Sequence, residues 1–169
     1  AKRNPYPAFT TSTMQIESSR KLGLSANQTM RTAQKLYEGT EIKGETMGLI
    51  TYMRTDSVVM SNDAINQIRN FVTDNYGANY LPESPRIYKS KAKNAQEAHE
   101  CIRPTNINLT PKEVKQYITL EEFKLYEIIW QRAVSSQMAS AVLDQVAVNI
   151  TNEDKKIILR ANGSTIKFS

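Results

Sequence analysis

The chain contains one ten-residue block in which a short apolar run leads into a dense set of polar side chains. That block reads Gly48-Leu49-Ile50-Thr51-Tyr52-Met53-Arg54-Thr55-Asp56-Ser57. Its apolar and β-branched start predicts a short, buried β-strand. Because alternate side chains of a strand point to the same side, Tyr52 and Arg54 are expected to share one face.

A tyrosine and an arginine on one face suit chemistry on a phosphodiester. A guanidinium can hold a phosphate by two parallel hydrogen bonds, and its charge favours a nearby phenolate. Free tyrosine has a pKa of ~10, so it needs such help to act as a nucleophile at neutral pH. Tyr52 is therefore the candidate nucleophile and Arg54 its partner. The alternative is an aromatic residue that ends a core strand, with Arg54 and Asp56 in an ordinary surface ion pair.

Helices are expected on both sides of this block. The first is predicted through Met14–Lys21. The second runs from Ala26 to about Glu38, with Ser25 as its N-cap. The third begins after Ser61, a further N-cap, and ends near Gly77.

Two capping boxes predict further helices towards the C-terminal end, Thr110–Glu113 and Thr119–Glu122. The second opens the longest helix, in which Trp130 belongs to the buried stripe. Residues 39–48 hold three glycines among charged residues and predict a loop.

After about Ala141 the pattern changes from helical to strand-like. Strands are predicted at residues 142, 145–150 and 157–160, with turns at 152–156 and 162–163. Three short strands cannot bury both faces of a sheet by themselves, so this tail is predicted to belong to another domain. The fold class is therefore α+β and mainly helical.

The only histidine lies in a second polar block, Glu97-Ala98-His99-Glu100-Cys101-Ile102-Arg103-Pro104. On a helix, His99 and Arg103 would share a face, and His99 would be placed to contact a phosphate or to carry a proton to a leaving 3′ oxygen. The alternative is a solvated helix end with a His–Glu contact. A metal site is not expected, because one histidine has no cysteine partners here.

The overall charge and a basic run favour a polyanionic partner. The net charge is +5 and the pI is about 9.3. A solubilising loop is the alternative reading of the run. No apolar run approaches the ~20 residues of a membrane span, and the start of the chain does not resemble a signal peptide. A single cysteine excludes an internal disulfide. The cations of the basic run are Arg86, Lys89, Lys91 and Lys93.

Five blocks follow one another in an order and spacing that a known family shares. They are Phe9-Thr10-Thr11-Ser12-Thr13, Leu36-Tyr37-Glu38-Gly39, the block at 48–57, Ala95-Gln96-Glu97-Ala98-His99-Glu100 and Ile102-Arg103-Pro104. Together they resemble the tyrosine-containing core of bacterial DNA topoisomerase I, a type IA topoisomerase. Cys101 stands where a small residue such as alanine is expected, which is a mild departure.

The resemblance implies a role for each matched residue. Tyr52 matches the nucleophile, which forms a 5′-phosphotyrosine link to one DNA strand. Arg54 matches the arginine that orients the scissile phosphate, and His99 matches a histidine that contacts DNA near the cleaved bond. These three are the expected catalytic residues. Further DNA contacts are expected from Thr55, Asp56, Arg103, Arg86, Lys89, Lys91 and Lys93.

The resemblance also implies a division into domains. Residues 1–13 would be an extended lead-in from an arch domain, 14–140 a winged-helix-like catalytic-tyrosine domain, and 141–169 an antiparallel β segment of the arch. The acidic Toprim domain, with its Asp-x-Asp signature, is missing from the sequence. Mg²⁺ is therefore expected to bind that absent domain and not this chain.

As part of the full enzyme, the chain is expected to help relax negatively supercoiled DNA without ATP. The steps are cleavage of a single strand, strand passage and religation. The expected partners are single-stranded and negatively supercoiled DNA and the remaining domains of the same polypeptide. The expected location is the bacterial cytoplasm, in association with the nucleoid. The fragment alone is expected to be inactive.

Other functions are weighed against this one. Tyrosine recombinases show an Arg…His-x-x-Arg…Tyr order, whereas here the tyrosine comes first, which argues against them. A non-catalytic DNA-binding module remains open, because helices within residues 14–38 could form a helix-turn-helix. A structural scaffold remains open too. Within the family, topoisomerase III and reverse gyrase share the tyrosine motif.

Overall fold

The chain forms two units, one mainly helical and one built from a small antiparallel sheet. The computed structural model describes residues 1–90 and 99–168. One unit is Tyr6–Met138, and the other joins Ala1–Pro5 to Ala139–Ser169. The first unit is mainly helical and the second is built from strands, so the predicted α+β class is confirmed. None of the helices among the described residues is long and apolar enough to cross a bilayer.

Within the described residues, the larger unit contains five α-helices and one short 3₁₀ turn at Ala78–Tyr80. The helices are α1 (Thr11–Leu22), α2 (Ala26–Glu38), α3 (Asn62–Tyr76), α4 (Pro111–Val114) and α5 (Leu120–Ser136). Serine and threonine caps explain where three of them begin. The hydroxyls of Ser25, Ser61 and Thr119 each accept a hydrogen bond from the backbone three residues ahead. The predicted starts of these helices are confirmed.

Two helix predictions were wrong in detail. Helix α1 begins at Thr11, before the predicted Met14, because Thr10 is the N-cap and forms a capping box with Thr13. The predicted lead-in therefore already becomes helical at Thr11. The capping box predicted at Thr110 is absent, since its side chain makes no cap hydrogen bond, and α4 has only four residues.

The strands form two separate antiparallel arrangements. They are β1 (Lys2–Arg3), β2 (Thr40–Ile42), β3 (Glu45–Met47), β4 (Ala141–Thr151) and β5 (Ile158–Phe168). The smaller unit has the order β1-β4-β5, and β2 pairs with β3. The turn predicted at 162–163 was wrong, because Asn162 and Gly163 pair with Ala147 and Val146 inside the β4–β5 ladder. The strands predicted at 142 and 145–150 are one continuous strand, β4, and the strand predicted at 157–160 is the beginning of the longer β5. The turn predicted before β5 is confirmed.

The loop predicted at residues 39–48 is instead the β2–β3 hairpin. Its two-residue turn consists of Lys43 and Gly44, which both have positive φ, 51° and 84°. Two such residues allow the tight turn that matches the twist of paired strands. With α1 and α2 before it, the hairpin completes a helix–turn–helix–hairpin order, which fits the winged-helix-like expectation.

The core of the larger unit is built around α5. Trp130 is buried, as predicted, and its indole N–H donates to the carbonyl oxygen of Ile107 at 2.9 Å. Its ring meets Phe71 edge to face, with 5.3 Å between ring centroids. This contact joins α5 to α3.

Candidate active site

The segment that carries Tyr52 is extended, but it is not the predicted strand. Among the described residues its only ladder-like contact is a single bridge between Ile50 and Pro104. Burial still alternates along it. The exposed side chains are Tyr52, Arg54 and Asp56, and the buried ones are Met53, Thr55 and Ser57. Tyr52 and Arg54 therefore do lie on the same side of the backbone.

Thr51 joins this segment to the block that contains His99 and Arg103. Its N–H donates to the carbonyl oxygen of Arg103 at 2.9 Å, and its hydroxyl donates to that of Cys101 at 2.7 Å. The N–H of Arg103 returns a bond to the same hydroxyl oxygen at 3.0 Å. The two polar blocks, which are 50 residues apart in sequence, are thus held side by side.

Thr11, the first residue of α1, holds the segment from its other edge. Its N–H donates to the carbonyl oxygen of Thr55 at 2.9 Å, and its hydroxyl donates to that of Met53 at 2.7 Å. The hydroxyl oxygen also accepts the N–H of Thr55 at 2.9 Å. Because these bonds lie on both sides of Arg54, they fix the backbone from which that arginine projects.

We predict that Thr11→Val destabilises the chain by about 1–3 kcal/mol, because the substitution leaves the Thr55 N–H and the Met53 carbonyl without their partly buried partner. Urea unfolding should show a lower midpoint at an unchanged slope. Thr73→Val is the matched control, since that exposed hydroxyl bonds only to the Arg69 carbonyl of its own helix. Equal midpoints for the two variants would contradict this account.

Tyr52 is accessible and supported by a second aromatic ring. Its side chain is 46% exposed, and its ring meets that of Tyr37 edge to face at 5.3 Å between centroids, with planes 64° apart. Such a contact holds a ring in place and leaves its outer edge to solvent. No role is predicted for Tyr37 from the sequence, although its position at the end of the amphipathic helix α2 places it next to the Tyr52 block.

The surface ion pair considered for Arg54 and Asp56 is not present. Both side chains are exposed, and within the described residues neither forms an ion pair. Arg54 instead borders a polar groove along α2. An exposed guanidinium without a carboxylate partner is available to an anionic ligand.

Residues 99–103 are not helical, so the shared helix face considered for His99 and Arg103 does not exist. The N–H of Cys101 donates to the Val59 carbonyl and that of Ile102 to the Phe9 carbonyl, both at 2.8 Å, and these long-range bonds exclude a helix. His99 is exposed. Glu100 pairs with Arg103, at 2.6 Å between Oε2 and Nε, and not with His99.

Two predicted DNA contacts have internal roles in the structure. The buried Thr55 hydroxyl accepts the N–H of Ser57 at 3.0 Å. Arg86 donates from Nε to the Met138 carbonyl at 2.8 Å, and its backbone pairs with the side-chain amide of Gln137 at 3.1 and 3.0 Å. Both residues therefore contribute to the fold through these bonds.

The rest of the basic run is represented by Lys89, which is exposed. Lys91 and Lys93 lie outside the described residues. Tyr88 lies between Arg86 and Lys89 in the sequence, and its hydroxyl donates to the Ser136 carbonyl at 3.0 Å. Burial raises the pKa of this phenol. Tyr88 is thus part of the packing of this unit.

Neither a metal site nor a reactive thiol is found in the part of the chain that the structure describes. No three His, Cys, Asp or Glu side chains converge there to hold an ion. Cys101 is buried, and burial raises the pKa of its thiol to about 12. A thiol with so little thiolate is a poor nucleophile and a poor metal ligand.

Comparison with known proteins gives one consistent answer. A family model described as DNA topoisomerase matches residues 1–169. The chain is 56% identical over 167 residues to DNA topoisomerase 1 of Rickettsia bellii, covering 99% of this chain and 21% of that protein. It is 50% identical over 166 residues to DNA topoisomerase 1 of Xylella fastidiosa, covering 98% of this chain and 20% of that protein.

A solved structure agrees with the sequence comparisons. Full-length topoisomerase I from Thermotoga maritima matches with a TM-score of 0.84 and 37% sequence identity, over 99% of this chain and 26% of that one. The chain therefore spans about a fifth of the length of the curated relatives it matches.

Proposed function

The chain belongs to the DNA topoisomerase family, and on that basis we propose that it carries the nucleophile of a type IA enzyme, Tyr52. The observation that carries the proposal is the exposed pair Tyr52 and Arg54 on one side of an extended segment. Met53 between them is buried, and Thr11 and Thr51 hold the backbone in place. A nucleophile and a phosphate-binding cation are thereby presented together on a rigid support.

In the proposed reaction, the phenolate oxygen of Tyr52 attacks the phosphorus of a DNA phosphodiester in line. The bond from phosphorus to the 3′ oxygen breaks, and a new bond joins phosphorus to the tyrosine oxygen. The proton lost by the phenol is balanced by the proton that the departing 3′ oxygen gains. One phosphodiester replaces another, so the reverse attack by the 3′ hydroxyl reseals the strand without ATP.

Arg54 and His99 have separate parts in this scheme. The Arg54 guanidinium binds the scissile phosphate. His99, exposed on the segment held beside Thr51, is a proton carrier for the 3′ oxygen. Arg103 is engaged by Glu100, so its main role is to shape the segment that carries His99.

The remaining steps need parts of the enzyme outside this chain. We propose that relaxation of negatively supercoiled DNA, with passage of a second strand, requires the Toprim domain and the arch. The proposed location is the bacterial cytoplasm, at the nucleoid. We propose that Mg²⁺ binds the Toprim domain, and no step of the proposed reaction depends on a metal ion held by this chain. The isolated fragment is proposed to be inactive.

The test is a chimera in which this chain replaces the matching fifth of the Rickettsia bellii enzyme. We expect the chimera to relax a negatively supercoiled plasmid and, on rapid denaturation, to yield a covalent DNA adduct on Tyr52. The isolated 169-residue chain should leave the plasmid intact. An adduct mapped to any other residue would overturn the assignment.

One observation favours a second candidate, a non-catalytic DNA-binding module. Helices α1 and α2 are joined by only three residues, Gly23–Ser25, and Gly23 has a left-handed φ of 68°. That connection is typical of a helix-turn-helix. A module of this kind would bind DNA in a salt-dependent manner and give no adduct in the chimera.

A further inference from the structure

Tyr37 has no part in the proposed reaction, although its ring contacts the ring of the candidate nucleophile. The two ring centroids are 5.3 Å apart and the ring planes meet at 64°, which is an edge-to-face geometry. Both rings are partly open to solvent, with 41% of Tyr37 and 46% of Tyr52 exposed. Tyr37 therefore covers one part of the Tyr52 ring and leaves another part accessible.

The backbone that carries Tyr37 is fixed against the segment that leads to Tyr52. Tyr37 lies in the last turn of α2, next to Leu36, whose carbonyl oxygen accepts the N–H of Leu49 at 2.8 Å. The Tyr37 carbonyl oxygen lies close to Gly48, since a Cβ atom added to that glycine would be 2.6 Å from the oxygen. These two backbone contacts set where the Tyr37 ring lies relative to Tyr52.

The side chain of Tyr52 has few other specific restraints. Within the described residues, its hydroxyl forms no hydrogen bond with a protein group. Hydrogen bonds at Thr51 and Met53 fix the backbone on either side, but they leave more than one staggered χ1 rotamer open to a half-exposed ring. A ring contact favours the rotamer that meets its partner edge to face. The contact with Tyr37 therefore selects one orientation of the Tyr52 ring.

We propose that Tyr37 is a positioning residue, whose ring holds the Tyr52 ring in the orientation that directs its hydroxyl oxygen at the scissile phosphate. In-line attack requires the reacting atoms to lie about 3–3.5 Å apart, so a nucleophile that spends time in other rotamers reacts more slowly. The proposal needs the ring of Tyr37 and not its hydroxyl. This inference rests on the proposed function.

The test compares Tyr37→Leu with Tyr37→Phe in the chimera with the Rickettsia bellii enzyme. Leucine removes the ring and suits a helix, whereas phenylalanine keeps the ring and removes only the hydroxyl. Tyr76→Leu is the matched control, because Tyr76 ends α3, is 47% exposed and meets Phe71 edge to face. The measurements are the single-turnover rate of adduct formation on Tyr52, the affinity for an uncleaved oligonucleotide, and the urea midpoint.

We expect Tyr37→Leu to slow adduct formation about 5-fold, within the range of about 2- to 10-fold that an edge-to-face pair contributes. Its oligonucleotide affinity should be unchanged. Tyr37→Phe and Tyr76→Leu should form the adduct at the parent rate. A parent rate in Tyr37→Leu, or an equal loss in Tyr37→Phe or Tyr76→Leu, would overturn the proposal. Loss of folding in Tyr37→Leu would also overturn it, since a residue that only positions its neighbour is not needed for folding.

Fluorine NMR of the chain itself distinguishes failure of this inference from failure of the proposed function. The tyrosines are replaced by meta-fluorotyrosine, and the Tyr52 resonance is assigned as the one that Tyr52→Phe removes. We expect Tyr37→Leu to shift this resonance, because the ring current of Tyr37 is lost, and Tyr37→Phe to leave it in place. Such a shift with no adduct in the chimera would reject the nucleophile alone. An unshifted resonance with a normal adduct on Tyr52 would reject the role of Tyr37 alone.

Discussion

Tyr52→Phe should abolish the covalent adduct and lower relaxation by the chimera at least about 10³-fold, while the fold stays unchanged. The substitution removes one oxygen and keeps the ring. The edge-to-face contact with Tyr37, at 5.3 Å between centroids, is therefore retained. Since Tyr52 is 46% exposed, no buried hydrogen-bond partner is left unsatisfied. The loss would then report the chemistry of the oxygen and not the stability of the domain.

Tyr76→Phe is the matched control for this prediction. Tyr76 is 47% exposed and also contacts another ring, that of Phe71, at 6.3 Å between centroids. Both variants thus lose one hydroxyl from an exposed, ring-supported phenol. Adduct yield on denaturing gels and plasmid relaxation are the measurements. An adduct that survives Tyr52→Phe would contradict the nucleophile assignment, and an equal loss in Tyr76→Phe would point to a general effect of the substitution.

Elements with local signals were predictable from the sequence. Helices α2 and α3 have the predicted bounds because Ser25 and Ser61 cap their starts and glycines at 39 and 77 follow their ends. The β2–β3 hairpin was missed because its strands are three residues long and mostly charged or polar. Its formation depends on a positive φ at Lys43. Positive φ is uncommon for lysine, so the residue type gives no sign of this turn.

The candidate site was predicted in part. The features that were not predicted depend on hydrogen bonds between residues far apart in the sequence. Alternate side chains of any extended segment lie on the same side, whether or not the segment belongs to a sheet. The prediction that Tyr52 and Arg54 share a face is therefore correct even though the predicted strand is absent. The helical geometry considered for His99 and Arg103 does not occur, because the backbone N–H groups of Cys101 and Ile102 bond to Val59 and Phe9, far away in sequence. The role of Arg86 was hidden for the same reason, since its partners lie about 50 residues further on.

Tyr52 is also positioned by a close contact between the backbone of α2 and the segment that precedes Tyr52, and this contact requires a glycine at position 48. The N–H of Leu49 donates to the Leu36 carbonyl at 2.8 Å, which brings the last turn of α2 against the segment that leads to Tyr52. A Cβ atom on residue 48 would lie 2.6 Å from the backbone oxygen of Tyr37. Because that oxygen belongs to a helix, it cannot move aside as a flexible side chain would.

We therefore expect Gly48→Ala to destabilise the chain by about 1–3 kcal/mol, the usual cost of overpacking. It should also lower adduct formation in the chimera about 100-fold, because a shift of ~1 Å in a reacting group has effects of that order. Gly163→Ala is the control, since nothing lies within 4 Å of a Cβ atom there. Urea unfolding and adduct yield are the measurements. If Gly48→Ala matches Gly163→Ala in both, the contact between α2 and the Tyr52 segment is too loose to position the nucleophile.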